Sequence, residues 1–410
     1  MGDAGMIIVG AGEAGARAAL SLREQGWSGP ITLIGEEPHA PYERPPLSKA
    51  VMTAAAEPAP TTILDAARAQ AHGIELLCGC PAAAIDRSNH RVLLQDGRRL
   101  SYRKLLLATG ARARRLGIDG AGHLLYLRSF ADAVALRARL RAGSHIAIIG
   151  GGFIGLEVAA SATARGCRVT VIEVAPRCLM RGVPAAIAEA ATERHRAAGV
   201  DVRTGAALMG IVAAGDGWTV LFAGGTRLAC DAVVAGVGAV PETSLAEACG
   251  LEIENGIRVD ARLHTNDPDI FAAGDCCSFP HPLYGDRRIR LEAWRNAQDQ
   301  GAHAARAMLG AEESYAAVPS FWSDQHDLTL RIAGLPDTGA TTVTRELGDG
   351  VRLHFHLGAD GRLMAASAIG PNSAIAREIR LAEMLIARHA RPAARELSDP
   401  AVRLKELLRE

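Results

Sequence analysis

Along its first forty residues the chain changes rhythm three times. "MIIV", Met6 to Val9, is an unbroken apolar run too short for a helix and fits a buried strand. "GAGEAG" follows, with no periodicity. "EAGARAALSLREQG" then keeps small and apolar residues at helical spacing and stops at Gly26. "ITLIGEE" is a second buried-type strand ending in acid, which completes a strand–turn–helix–strand unit. The same order returns from Ile146 in "IAIIGGGFIGLEVA" and closes at "RVTVIEV". Between the two, "HRVLLQDGRRLSYRKLLLATGA" predicts a hairpin about Asp96 and Gly97 and a further apolar strand. Downstream, "DAVVAGVGAVPE" is a strand entering a glycine-rich turn. "GIRVDARLHTNDPDIFAAGDC" is a strand, a turn and a strand. From Pro319 onward, "LTLRIAGL", "TTVTREL", "VRLHFHLG" and "RLMAASAIG" predict a small antiparallel sheet with two closing helices. His354 and His356 alternate onto one strand face. With no third ligand at a fitting spacing, they are expected to face solvent rather than hold a metal.

Composition narrows the classes. The 410 residues are 49% hydrophobic and 22% charged, which suits a globular chain of two or three domains. The 45 basic and 45 acidic residues cancel, so a general basic field for nucleic acid is absent. No apolar stretch approaches the ~20 residues that span a membrane. The first strand begins at Met6, leaving no room for a signal or transit peptide, and a cytoplasmic location is expected. Of the eight cysteines, none forms Cys-x-x-Cys; Cys78 and Cys80 are one residue apart, and Cys276 and Cys277 are adjacent. Neither spacing matches a zinc or redox motif, so packing thiols in a reducing compartment are expected.

A lone Gly-x-Gly-x-x-Gly is weak; its context here is not. Gly10, Gly12 and Gly15 follow a strand and open a helix. The first permits the tight turn, the second lets a pyrophosphate approach the backbone, and the third permits close helix–strand packing. The helix N-terminus adds unpaired N–H groups and positive dipole. Glu36 stands ~20 residues beyond, where an acid meets a ribose hydroxyl. Gly150, Gly152 and Gly155 repeat the pattern, with Glu173 in the matching place. Two cradles imply two dinucleotides, most economically a bound FAD and a visiting nicotinamide dinucleotide, with hydride passing between them. Glu173 accepts from a free 2′-hydroxyl and repels a 2′-phosphate, and Val174 follows it where a phosphate clamp would need arginine. NADH is therefore expected over NADPH. Arg177 and Arg181, close in sequence, are expected to reach its pyrophosphate or ribose.

At this point the chain resembles the NADH-dependent ferredoxin reductases of bacterial oxygenase systems. The likeness spans essentially the whole length through "RPPLSK", "LLLATGA", "GGGFIGLEVAA", "AAGDC" and "FWSDQ". It implies an α/β fold with two Rossmann-like dinucleotide-binding domains, for FAD and NAD, and a C-terminal α+β interface domain. The implied boundaries are 1–109 with 236–318 for FAD, 110–235 for NAD and 319–410 for the interface domain. By position, Ala14 and Glu36 would contact the adenosine half of FAD, Lys49 the ring region and Ala82 the cofactor through its backbone. Arg128 would reach the phosphate or ring region, Asp275 the ribityl chain, and Trp294 the isoalloxazine border. Arg44, Ala108, Thr109, Gly110, Gly238, Gly274 and Ile154 complete the implied cofactor contacts.

The resemblance also implies a Lys49–Glu157 ion pair beside the flavin's reactive edge, with Trp322 near the ring as an electron path or a shield. Disulfide reductases of this fold carry a Cys-x₄-Cys pair where this chain has "YERPPLSKAVM", and related peroxidases carry one reactive cysteine there; here the position is Ser48. Direct transfer to a small acidic iron–sulfur ferredoxin is therefore expected, with docking near Arg287, Arg288 and Arg290, beside Arg295. A rubredoxin reductase, an NADH oxidase or a redox-responsive flavoprotein of the same fold are the other readings. No metal site is expected.

Overall fold

The first apolar run becomes the strand Gly5–Val9, buried at every residue, in a computed structural model that describes residues 4–348 and 350–409. It pairs in parallel with Ile31–Ile34 on one side and Arg99–Leu107 on the other. Ile74–Leu77 extends the sheet beyond Ile31–Ile34, and Ile270–Ala272 pairs in parallel with the end of Arg99–Leu107. The start of Arg99–Leu107 carries Arg91–Leu94 and then Ala82–Asp86 in antiparallel order. Leu93 faces Arg99 in this register, so the chain reverses around Asp96 and Gly97, as the sequence predicts. The helix Glu13–Glu24 lies along the helix Trp294–Met308. Half of its buried residues are alanine, Ala14, Ala16, Ala18 and Ala19, and small residues of this kind permit close approach.

Contacts divide the chain into two units. One comprises the residues up to Glu43, Pro60–Arg112 and Val240–Ala317, and holds the sheet just described. The other comprises Arg44–Ala59, Ala113–Ala239 and the residues from Val318 onward.

The second unit repeats the first architecture. His145–Ile149 lies between Arg168–Ile172 and Ala232–Ala235, all parallel, with Asp201–Arg203 at the edge. An antiparallel sheet of Leu208–Ala214, Gly217–Phe222 and Arg227–Cys230, not foreseen from the pattern, covers part of it. Its Ile211, Val220 and Leu228 share a core with Ala147, Ile149, Ile172 and Val233.

The C-terminal sheet has five strands, in the order Ser320–Gln325, Leu328–Gly334, Leu363–Gly370, Arg352–Leu357 and Thr341–Glu346. The first was not expected as a strand. Every residue of Leu363–Gly370 is buried, so both faces of the sheet are covered there. The helix Asn372–Ala387 supplies cover with Ile375, Ile379, Ala382 and Ile386.

This double cover overturns one expectation. His354 and His356 share a strand face but are buried, His356 with 4% exposure. His356 Nε2 lies 3.0 Å from Ser367 Oγ, and His354 Nδ1 lies 3.1 Å from Thr344 Oγ1. Among the described residues no group of three metal-ligating side chains forms.

Burial pushes His195, His303 and His356 down to about 4. Between that value and the unfolded 6.5 the unfolded chain binds more protons, so the stability these histidines contribute is complete above pH 6.5 and is lost on acidification toward 4. The thermal midpoint is expected to fall between pH 6.5 and 4.5. His356→Gln should remove about 1–2 kcal/mol of that decline, read from unfolding curves at the two pH values.

Candidate functional site

In each unit the glycine turn stands at the carboxyl ends of parallel strands, where open α/β sheets take their ligands. Gly10 has φ +113°, and a Cβ built on it would sit 2.1 Å from the Ala108 carbonyl oxygen. Gly150, at φ +105°, would place its Cβ 2.5 Å from the Gly236 oxygen. Glycine is therefore obligatory at both, because neighbouring backbone occupies the side-chain position. Gly12 and Gly152 differ: a Cβ on Gly12 would meet nothing within 4 Å, and one on Gly152 only the Gly236 oxygen at 3.8 Å. Neither residue gives its helix a side-chain cap, so the first amides of Glu13–Glu24 and Phe153–Ala164 remain for a phosphate. Open space over uncapped helix amides fits a dinucleotide at both turns.

Around the first turn the sheet gathers most of the predicted contacts. Ala108–Gly110 follows Arg99–Leu107, and Gly274 and Asp275 follow Ile270–Ala272. Ala108 N donates to the Val9 carbonyl at 2.8 Å. A Cβ on Gly274 would come within 3.1 Å of Ala14 Cβ. Thr109 Oγ1 donates to the Glu242 carbonyl at 2.5 Å. Glu36 is exposed just past Ile31–Ile34, and Ala82 opens its own strand. Trp294 is the first residue of Trp294–Met308.

The sequence reading missed Glu13. It is the first residue of its helix, and its Oε2 is buried with no hydrogen-bond partner. Gln298 Nε2 approaches Oε1 at 3.4 Å. Burial, reinforced by the Glu43 charge, pushes its carboxyl up to about 7, against lowering by Gln298, Trp294 and Arg17. In the sequence it stood only as an unassigned position between Gly12 and Gly15.

Around the second turn, Glu173 follows Arg168–Ile172 and accepts from Gly151 N at 2.7 Å and Ala175 N at 2.8 Å. Arg177 is spent on the carbonyls of Cys178, Leu179 and Val183. Arg181 is exposed, with Nη2 3.0 Å from where a Gly238 side chain would begin. Ile154 is exposed in the first turn of its helix.

One turn on, Glu157 is 5% exposed and Lys49 Nζ donates to its Oε2 at 2.8 Å. The ion pair that the resemblance implied is present. Ser48 Oγ donates to the same oxygen at 2.5 Å, and Ser323 Oγ donates to Oε1 at 2.5 Å. Asp324 Oδ2 is 3.9 Å from Lys49. Trp322 is half-buried in the same strand. Arg44 Nη1 donates to the Arg128 carbonyl at 2.5 Å. Ser323 and Gln325 were missed, although alternation in "SFWSDQ" sets them together on one face.

The arginine patch is largely committed. Arg288 donates to Val259 and Ser278 carbonyls and pairs with Glu254 at 3.2 Å. Arg290 pairs with Glu292 at 2.5 Å and Arg295 with Asp299 at 3.0 Å. Arg287 is exposed. All eight cysteines are free thiols.

Residues 5–301 match the pyridine nucleotide-disulphide oxidoreductase family, and residues 320–408 match the reductase C-terminal family. The chain belongs to the pyridine nucleotide-disulphide oxidoreductase family. It is an NAD(H)-dependent flavoprotein oxidoreductase that uses FAD. It is 43% identical to the ferredoxin–NAD(+) reductase component of the anthranilate 1,2-dioxygenase system of Burkholderia cepacia, over 98% of each chain. The ferredoxin reductase for the CYP199A2 system of Rhodopseudomonas palustris superposes with a TM-score of 0.93 at 36% identity, covering 98% of this chain and 99% of that one. The reductase in the covalent putidaredoxin reductase–putidaredoxin complex superposes at 0.92 with 35% identity, covering 100% and 99%. No helix among the described residues is long and apolar enough to cross a membrane.

Glu13 generates a test. Its folded value of about 7 exceeds the unfolded 4.5, so its favourable neutral state is complete below pH 4.5 and lost as the pH rises through 7. Glu13→Gln is expected to be more stable than the natural protein at pH 8, by on the order of 1–2 kcal/mol after discounting for partial exposure. The difference should close by pH 4.5, measured by chemical unfolding.

Proposed function

We propose that the protein is an NADH-dependent ferredoxin reductase serving an oxygenase, a cytochrome monooxygenase or an aromatic-ring dioxygenase. The observation that carries this reading is the pair of uncapped glycine turns, the second followed one helical turn later by the Lys49–Glu157 ion pair. The named activities of the relatives support it. Bound FAD supplies an acceptor for two electrons that can leave one at a time.

In this reading residues 1–109 and 236–318 hold FAD, 110–235 hold NADH and 319–410 meet the partner. Gly10, Gly12, Ala14, Gly15, Glu36, Arg44, Ala82, Ala108, Thr109, Gly110, Arg128, Gly274, Asp275 and Trp294 serve the flavin nucleotide. Gly150, Gly152, Ile154, Gly155, Glu173, Arg181 and Gly238 serve the nicotinamide nucleotide. Glu173, already oriented by two backbone amides, accepts from a ribose hydroxyl and selects NADH. Lys49 holds positive charge at the reacting edge, Glu157 fixes Lys49, and Trp322 shields the ring. Ser48 stands where thiol chemistry would need a cysteine, and its hydroxyl is engaged with Glu157. Free cysteines throughout suit a cytoplasmic location.

The partner is a small acidic iron–sulfur ferredoxin that docks near Arg287, Arg288 and Arg290. Arg287 is exposed at this surface and steers encounter together with Arg288 and Arg290. Arg287→Glu is expected to slow ferredoxin reduction about tenfold at low ionic strength, with convergence toward the natural rate in high salt. NADH-driven bleaching of the flavin should be unchanged. An unaltered rate and salt response would remove the docking surface from the account. The reaction class is tested by turnover with NADH and purified ferredoxin against oxygen alone. Fast ferredoxin-dependent turnover with slow oxygen consumption is expected, and the reverse would indicate an oxidase.

A further inference from the structure

Glu157 is the end of a longer structure than an ion pair. From its Oε1 a run of buried side chains leads away through the second unit. Ser323 Oγ lies 2.5 Å from Oε1, Gln325 Nε2 lies 2.8 Å from Ser323 Oγ, and Gln325 Oε1 lies 2.7 Å from His195 Nε2. His195 Nδ1 lies 3.1 Å from His326 Nε2. Ser323, Gln325 and His195 are each 0% exposed. They come from two elements, the strand Ser320–Gln325 and the helix Ala185–Ala197, and they meet Glu157 on a third, Phe153–Ala164. His326 caps the run in the turn after the strand, at φ +59°.

The direction of the first three links is forced. The carboxylate oxygen accepts, so the Ser323 hydroxyl hydrogen points to it. Ser323 Oγ then accepts from the Gln325 amide nitrogen. That orientation turns the Gln325 carbonyl toward His195, so His195 carries its hydrogen on Nε2. In the neutral ring Nδ1 accepts, with His326 donating from its Nε2 tautomer. Each donor points toward Glu157, and links aligned in this way polarise one another in a low-dielectric interior.

A neutral His195 suits this arrangement, because its Nδ1 is then an acceptor. Burial holds His195 down at about 4; Gln325 opposes this, and the charges of His326 and Arg194 add to it. Burial and Arg194 also lower His326, against Asp327, which pairs with Arg194 at 2.5 Å. At the far end, Lys49 and Asp324 are the charged groups facing Glu157 and its lysine.

We propose that Ser323, Gln325 and His195 are positioning residues that act through Glu157. They fix Oε1, which sets the carboxylate plane and leaves Oε2 to hold Lys49 in a single place. Without the clamp the carboxylate turns about its last torsion, and a lysine on a flexible stem follows it. The inference rests on the role given above to Lys49 and Glu157.

The lysine content makes a direct readout available, because the chain holds only Lys49, Lys104 and Lys405. Reductive methylation with a carbon-13 label keeps the charge and gives one NMR signal for each, plus that of the amino terminus. Lys49→Met assigns the Lys49 signal. The FAD-loaded protein and its Ser323→Ala, Gln325→Leu and Glu157→Gln variants are compared by this spectrum and, unlabelled, by single-turnover bleaching with NADH. The Lys49 signal is expected to move in Ser323→Ala and Gln325→Leu toward its position in Glu157→Gln, with Lys104 and Lys405 unmoved. The limiting bleaching rate should fall about tenfold in Ser323→Ala, with half-saturation by NADH within about twofold. Ser323→Thr, which keeps the hydroxyl, should restore both.

If Ser323→Ala does not fold, Gln325→Leu gives the same readouts. An unmoved Lys49 signal and an unchanged rate in a folded variant, while Glu157→Gln slows bleaching, would overturn the clamp and leave the roles of Lys49 and Glu157 intact. A moved signal with natural bleaching rates in all variants, Lys49→Met included, would uphold the clamp's geometry and overturn the role of the pair it serves.

Discussion

At Gly10 and again at Gly150, a carbonyl oxygen from a neighbouring strand end stands where a side chain would begin, at 2.1 and 2.5 Å. This steric constraint organises the molecule. It brings the strand end, the turn and the helix start so close that the helix amides point into open space. The helix caps are missing for the same reason, since a capping side chain would occupy the space that a phosphate takes. Both units place their remaining functional groups relative to that turn. Ala108 and Gly274 border the first. Glu173 is tied to the second by its bond to Gly151 N.

The polar interior has a different logic. Burying Glu157 against Lys49 costs desolvation that the attraction roughly offsets, so the pair is poor as a fastening. Its value is positional. Both carboxylate oxygens are engaged, Oε2 by Lys49 and Ser48 and Oε1 by Ser323. Glu13 solves the opposite problem. Its carboxyl, with Gln298 at 3.4 Å, is pushed up to about 7 by burial.

Much of this was legible in the sequence because local signals agreed with the fold. The two βαβ units, the Asp96–Gly97 reversal and most of the C-terminal sheet follow from apolar runs bounded by glycine or turn residues. The sheet formed by Leu208–Ala214, Gly217–Phe222 and Arg227–Cys230 did not show, because alanine and glycine interrupt its alternation. The strand Ser320–Gln325 escaped because its buried face is Ser323 and Gln325, polar residues that satisfy one another rather than an apolar stripe. His354 and His356 were misplaced for a related reason. Alternation shows which residues share a face, but whether a second layer covers that face depends on the helix Asn372–Ala387 and the neighbouring strands. Glu13 was hidden because its environment is assembled from Glu43, Trp294 and Gln298, the last two nearly 300 residues away.

The central claim is that two glycine turns hold two different dinucleotides. Gly12 and Gly152 both have ordinary negative φ, −93° and −83°, and room for a side chain, so valine is compatible with the backbone at either. The decisive measurement is the FAD content and the anaerobic NADH bleaching of Gly12→Val and Gly152→Val. Gly12→Val should fold without retaining FAD, and Gly152→Val should keep its FAD but need far more NADH to bleach. Full FAD retention in Gly12→Val, or natural bleaching in Gly152→Val, would contradict the account.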